Sequence, residues 1–169
     1  MAGLRDLFQE GRRGFFQQGA GAPGMSLIRW QDTFTIGVAD IDADHQVLIS
    51  LLNQLSETRE EGQSRDVVGS VFNVLIEYTI KHFAREERLM ELCGFSGLAE
   101  HRQQHQRIAE RVQKYQRQYE AGCHTAVDEL LDFLNNWLVE HIIGEDTHIR
   151  SWVEGACIAP RELAPAVQE

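Results

Sequence analysis

The sequence is short of the features that would direct it to several common roles. It has three prolines and three cysteines in 169 residues. Cys93, Cys123 and Cys157 are odd in number, far apart and form no CxxC pair. That excludes a zinc knuckle or a disulfide framework and leaves reduced structural thiols. No run approaches the roughly 18 apolar residues of a membrane span. Basic residues are outnumbered, 16 Lys and Arg against 26 Asp and Glu, and the formal net charge is −10. With no clustered basic footprint, neither nucleic acid nor an anionic membrane surface is an expected partner. What remains is one ordinary globular domain, 43% hydrophobic and 25% charged.

The N-terminus carries Arg12-Arg13-Gly14-Phe15-Phe16, which looks like the start of a twin-arginine export signal. The Gly- and Gln-rich stretch Gln17 to Gly24 cannot supply the apolar segment such a signal needs. The expectation is a cytoplasmic protein. Residues 1–24 read as a flexible leader or linker, with docking to a protein partner as the alternative role. Residues 25–156 read as the folded domain and residues 157–169 as a loose tail.

From Trp30 to Asp42 the pattern is non-periodic and reads as an extended arm. Four helical patterns follow. The first starts after a cap at Asp42, carries Leu48, Leu52 and Leu55 and ends at Gly62. The second starts near Ser64 or Asp66, is marked by Phe72, Leu75, Ile76, Leu89 and Met90 and closes at Gly94. The third runs from about Leu98 through Ile108, Val112 and Tyr115 to Gly122. The fourth opens on a capping-box-like Thr125 to Asp128, continues through Leu130, Leu134 and Leu138, and has its natural stop at Gly144. A further short helix covers about Asp146 to Glu154. Connections this short force successive helices to run antiparallel. The expected fold is therefore all-α: an up-down-up-down four-helix bundle with an extended N-terminal arm and a short C-terminal helix.

Five of the seven histidines sit in the apolar stripes. His45 precedes Leu48 in its series, and His82 and Glu86 fall between Leu75 and Leu89. His101 and His105 precede Ile108 and Val112, and His141 follows Leu138. The pairs His82/Glu86 and His101/His105 are four apart, so each pair projects from one side of its helix. One inward histidine is ordinarily a satisfied core residue. Five of them with two acids in one small core would cost several kcal/mol each, more than such a domain tolerates. A metal centre removes that cost. His141 and Asp146 are five apart, about 140° round an α-helix, so a helix break at Gly144 is expected to turn Asp146 inward. Imidazole with carboxylate suits iron, manganese or zinc. Seven protein ligands imply two ions. Two six-coordinate ions present twelve positions, and five imidazoles, two bridging carboxylates and one bridging oxygen leave a single vacancy. His124 and His148 are left over, the first as a surface residue and the second as an exposed or supporting one.

The same residues carry a resemblance. Trp30, Phe34-Thr35-Ile36-Gly37-Val38, Ile41-Asp42-Ala43-Asp44-His45, His82-Phe83-Ala84-Arg85-Glu86-Glu87, His101 with His105, and Trp137-Leu138-Val139-Glu140-His141-Ile142-Ile143-Gly144-Glu145-Asp146 form an ordered set. It resembles the hemerythrin family, specifically its bacterial branch, over about residues 26 to 152. The resemblance implies two oxo- or hydroxo-bridged non-haem iron ions. His101, His105 and His141 would hold one and His45 and His82 the other, with Glu86 and Asp146 bridging. It further implies dioxygen as ligand on the two-histidine iron, in a pocket of Phe83, Trp137, Leu138 and Ile142. The expected function is reversible oxygen storage or delivery rather than enzymatic turnover. The alternatives are an oxygen or redox sensing module acting through a partner, and a di-iron peroxide or nitric oxide reductase.

Overall fold

The computed structural model describes residues 27–156. The leader and the tail, read above as residues 1–24 and 157–169, lie outside these residues. The described chain comprises a single 3₁₀ turn (Asp32–Phe34), helices α1 (Ala39–Glu60), α2 (Arg65–Leu92), α3 (Leu98–Glu120) and α4 (Ala126–His141), a π-helical segment (Ile142–Asp146) and helix α5 (Thr147–Ala156). Each of the four long helices packs on the next, and α4 closes on α1.

The glycines stop the first three helices as expected. Gly62, Gly94 and Gly122 have φ of 65°, 66° and 94°, the left-handed region that only glycine enters at little cost. In each case the following amide reaches back five residues, for example Gln63 N–H to the Thr58 carbonyl at 3.1 Å. This bond satisfies a carbonyl that the helix end would otherwise leave open.

The core is divided. One apolar cluster holds Leu48, Leu52, Phe72, Leu75, Leu134 and Leu138. The other holds Ile36, Val38, Ile41, Leu89, Met90 and Ile149. Between them lies a layer of buried histidines and acids. In α1 the order is Ile41, His45, Leu48; in α2 it is Ile76, His82, Glu86, Leu89. The direction reverses again in α3 and in α4, so the polar layer is crossed alternately from either side. That alternation is the up-down-up-down topology written in burial.

The N-terminal arm is held by local polar bonds. Ile28 exchanges two hydrogen bonds with the Asn53 side chain, its N–H donating at 3.0 Å and its carbonyl accepting at 2.8 Å. Phe34, Ile36 and Val38 are buried. Asp42 is not the helix cap the sequence suggests. The first helix starts three residues earlier, at Ala39, and Asp42 accepts from the amides of Ile36 and Gly37 at 2.7 and 3.1 Å. Its carboxylate ties the arm down rather than beginning the helix. Likewise Thr125 caps no amide; its hydroxyl donates to the Glu129 side chain at 2.8 Å.

The expected break at Gly144 does not occur. The chain passes from α4 into α5 through the π-helical segment, and Gly144 has no positive φ. A π turn bonds residue i to i+5. His141 and Asp146 are five apart, so widening the helix by one residue per turn brings both to the inner side without a stop. A Cβ at Gly144 would meet nothing within 4 Å. Replacing Gly144 with Ala is therefore expected to stabilise the protein by about 0.5–1 kcal/mol through lost unfolded-state freedom. Metal content should be unchanged. Thermal melting and metal analysis of Gly144→Ala check this, and loss of metal would point to a true hinge.

Candidate metal centre

The five inward histidines and two acids of the sequence pattern meet in one place. His45, His82, Glu86, His101, His105, His141 and Asp146 are each at most 3% exposed. They form two groups. The ligating atoms of Glu86, His101, His105 and His141 lie within 4.8 Å of one another, as do those of His45, His82, Glu86 and Asp146. Glu86 belongs to both. Its Oε2 is 3.4 and 3.3 Å from the Nε2 atoms of His101 and His105, and 3.8 Å from that of His82. Asp146 also spans the groups, with Oδ2 at 3.3 Å from His45 and Oδ1 at 3.1 Å from His141.

His101 Nε2 meets Glu86 Oε2 at 3.4 Å and His105 Nε2 meets His141 Nε2 at 3.1 Å, but several of these side chains face one another without satisfying one another. Glu86 Oε1, both Asp146 oxygens and His45 Nε2 have no hydrogen-bond partner although they are sealed from water. A buried unmade hydrogen bond costs about 1–3 kcal/mol. Side chains that point at a common gap, and lack partners there, fit a pair of cations and fit little else. Protonation follows the same logic. Burial pushes the His45 imidazole down to about 4 and that of His141 to about 2, so both stay neutral, the form that ligates. Burial also pushes Asp146 well above the ordinary carboxylate range, and the neighbouring Glu86 charge adds to it. For Glu86 burial acts upward too, but the imidazoles of His101, His105 and His82 outweigh it and hold it well below its usual value. Two adjacent buried carboxylates cannot both ionise unless positive charge sits beside them.

Two supports were not among the expected site residues. Asp44, 2% exposed, stands 3.6 Å from His82 Nδ1, accepts from the Tyr78 hydroxyl at 2.7 Å and pairs with Arg85. Glu87 meets His105 Nδ1 at 2.9 Å and Arg102 at 3.2 Å. One histidine in each group thus has a carboxylate behind it, itself held by an arginine. Such a partner fixes ring orientation and leaves the far nitrogen free for a metal. The signal was adjacency: Asp44 precedes His45 and Glu87 follows Glu86. Asp44→Asn is expected to weaken metal retention by about 10–100-fold, the usual cost of losing such support. Competition with a chelator measures it, and unchanged retention would remove Asp44 from the account.

The four residues expected to wall a pocket divide. Phe83 stacks on the His105 ring at 3.9 Å and 9° and meets Trp137 edge-on at 5.6 Å. Trp137 stacks on His141 at 4.7 Å. Leu138 and Ile142 are buried in the adjoining apolar cluster. A small cavity of about 10 Å³ lies there, lined by Leu48, Leu52, Leu75, Thr79, Leu134, Trp137 and Leu138. Trp137 and Leu138 line it, whereas Phe83 and Ile142 do not. Leu48, Leu52, Leu75, Thr79 and Leu134 were missed, because nothing in a single helical stripe tells which core residue borders a void. His124 and His148 are exposed.

An antiparallel helical bundle with two buried, histidine-rich donor groups that meet at Glu86 and could each hold a cation is a narrow class of protein. The hemerythrin HHE cation-binding domain matches residues 36–153. The chain is 38% identical over 122 residues to a bacteriohemerythrin of Stenotrophomonas maltophilia (strain R551-3), covering 72% of this chain and 78% of the relative. It is 33% identical over the same length, with the same coverage of each chain, to a bacteriohemerythrin of Pseudomonas aeruginosa (strain LESB58). A crystal structure of wild-type hemerythrin superposes with a TM-score of 0.70 at 27% identity, over 74% of this chain and 96% of the other. This chain belongs to the hemerythrin family, whose cofactor is a non-haem di-iron centre. No helix among the described residues is long and apolar enough to cross a membrane.

Proposed function

We propose that this protein binds dioxygen reversibly at a di-iron centre, for storage or delivery. His101, His105 and His141 would hold one iron and His45 and His82 the other, with Glu86 and Asp146 shared between them. The iron pair, when bound, supplies the electrons that dioxygen lacks.

The observation that carries this reading is the apolar cavity. Leu48 is one turn from His45 along α1, Thr79 is one turn from His82 along α2, and Leu138 is one turn from His141 along α4. Two of these three neighbours, His45 and His82, belong to the group with fewer imidazoles, so the void borders that group as well as His141 of the other. Its lining is almost wholly apolar, with Thr79 the one hydroxyl-bearing side chain among five leucines and Trp137. The Thr79 hydroxyl donates to the Leu75 carbonyl at 2.8 Å, which turns its proton away from the void. Such walls exclude water and mobile protons from the centre. Buried histidines kept neutral supply no protons either.

Anaerobically reduced, iron-loaded protein is the test material. Mixed with dioxygen in a stopped-flow instrument, it is expected to show a rapid spectral change that reverses when the gas is removed. Direct irreversible oxidation, with no reversible phase, would overturn carriage.

A further inference from the structure

Tyr78, His82 and Arg85 follow one another along one stripe of α2, at the i, i+4, i+7 spacing that keeps side chains on one side of a helix. Asp44 of α1 is buried against that stripe. Tyr78 stands one turn before His82 and Arg85 one turn after it, and both donate to the same Asp44 oxygen, Oδ1. The Tyr78 bond is 2.7 Å long. The other oxygen, Oδ2, has no hydrogen-bond partner, and neither has His82 Nδ1. These two atoms are sealed from water and lie 3.6 Å apart, a few tenths of an ångström beyond a hydrogen bond.

The three-imidazole group shows the same plan completed. There Glu87 gives Oε1 to His105 Nδ1 at 2.9 Å and Oε2 to Arg102 at 3.2 Å. One oxygen serves an outer cation and the other serves the imidazole. Asp44 has a second grip on its outer oxygen, the Tyr78 hydroxyl. Burial, with the Asp44 charge, pushes that phenol up to about 12, so it stays a donor.

We propose that Tyr78 is a positioning residue for His82. Gripping Oδ1 together with Arg85, from one turn either side, it centres the Asp44 carboxylate on the histidine and leaves Oδ2 to Nδ1. That frees Nε2 for an ion and makes the imidazole a stronger donor to it. Without the hydroxyl, Arg85 alone draws the carboxylate outward and Oδ2 leaves His82. This role rests on the di-iron reading and deepens it, because His82 serves the two-imidazole position.

The test compares the full, iron-loaded wild-type chain with Tyr78→Phe, Asp44→Asn and the double variant. Tyr78→Phe keeps the ring beside the Arg85 guanidinium and removes one hydroxyl. Challenged with a chelator, the reduced anaerobic variant is expected to lose one ion about tenfold faster than the wild type and the other at the wild-type rate. Its midpoint potential should rise, because a less basic imidazole favours the ferrous state. The double variant should match Asp44→Asn alone in both readings, since Tyr78 acts through Asp44. An unmoved potential, or an effect that adds to that of Asp44→Asn, would reduce Tyr78 to packing and overturn the proposal. So would a falling potential, because Tyr78 would then only withdraw charge from Asp44. Neither reading involves dioxygen, so both stand apart from reversible carriage. Fewer than two ions in the wild-type chain would instead contradict the di-iron reading itself.

Discussion

Glu86→Ala should leave the protein unable to hold a metal pair, with iron falling from two ions per chain to less than one. Glu86 is the side chain common to both donor groups, and its oxygens lie between His101 and His105 on one side and His82 on the other. In the proposed centre its removal would take one ligand from each position and one of two shared negative charges. The expected loss of affinity exceeds about 100-fold, the upper end of what supporting residues cost. Glu87 provides the control. It is the next residue, yet it faces outward far enough to be 23% exposed and touches the centre only through His105. Glu87→Gln should therefore weaken one position by about 10–100-fold and leave the fold and the second ion in place. Metal analysis after gel filtration separates the two outcomes. Equal metal loss from both variants would show that Glu86 has no special position.

The second large effect concerns the protein stripped of metal. Its stability is expected to fall as pH drops from 6.5 to 5. The sign follows from three groups. His45 and His141, at about 4 and about 2 in the fold, titrate near 6.5 in the unfolded chain. Between pH 6.5 and 4 the unfolded state takes up protons on both while the folded state refuses them, which favours unfolding. Asp146 opposes this. Its raised value lets the folded state keep a proton that the unfolded state lacks. With Asp146 keeping its proton, the surplus bound by the unfolded chain grows from about none at pH 6.5 to about one proton at pH 5. Over that range about 1 kcal/mol is lost, and the melting temperature falls by about 3 °C. Thermal melts of the stripped protein at fixed ionic strength give the answer. A midpoint that is flat or rising toward pH 5 would contradict the buried, neutral state of these imidazoles.

How much of this could be read from the sequence depended on whether the signal was periodic. His45, His82, His101, His105 and His141 were legible because each interrupts an apolar series at its own helical spacing. The bundle was legible because Gly62, Gly94 and Gly122 punctuate it at short intervals. The carboxylate Asp146 faces inward, as expected, but by a different route. A glycine at 144 suggests a stop, but the backbone answers an i,i+5 requirement with a π turn, and no residue type announces a π turn. Asp42 and Thr125 were read as caps because Asp and Thr often cap. Their side chains instead hold the arm and Glu129, choices set by tertiary contacts that a local pattern does not contain. The supports Asp44 and Glu87 and the cavity-lining Leu48, Leu75 and Thr79 depend on neighbours from other helices. Single-helix periodicity does not report those.

The account rests on two cations held in one buried cage by seven side chains. The most direct measurement is an anomalous difference map at the iron edge, from crystals of iron-replete protein. The expected result is two peaks inside the bundle. One should lie within bonding distance of His101, His105 and His141, the other of His45 and His82, with Glu86 and Asp146 between them. A single peak, or iron bound anywhere else on the chain, would contradict it.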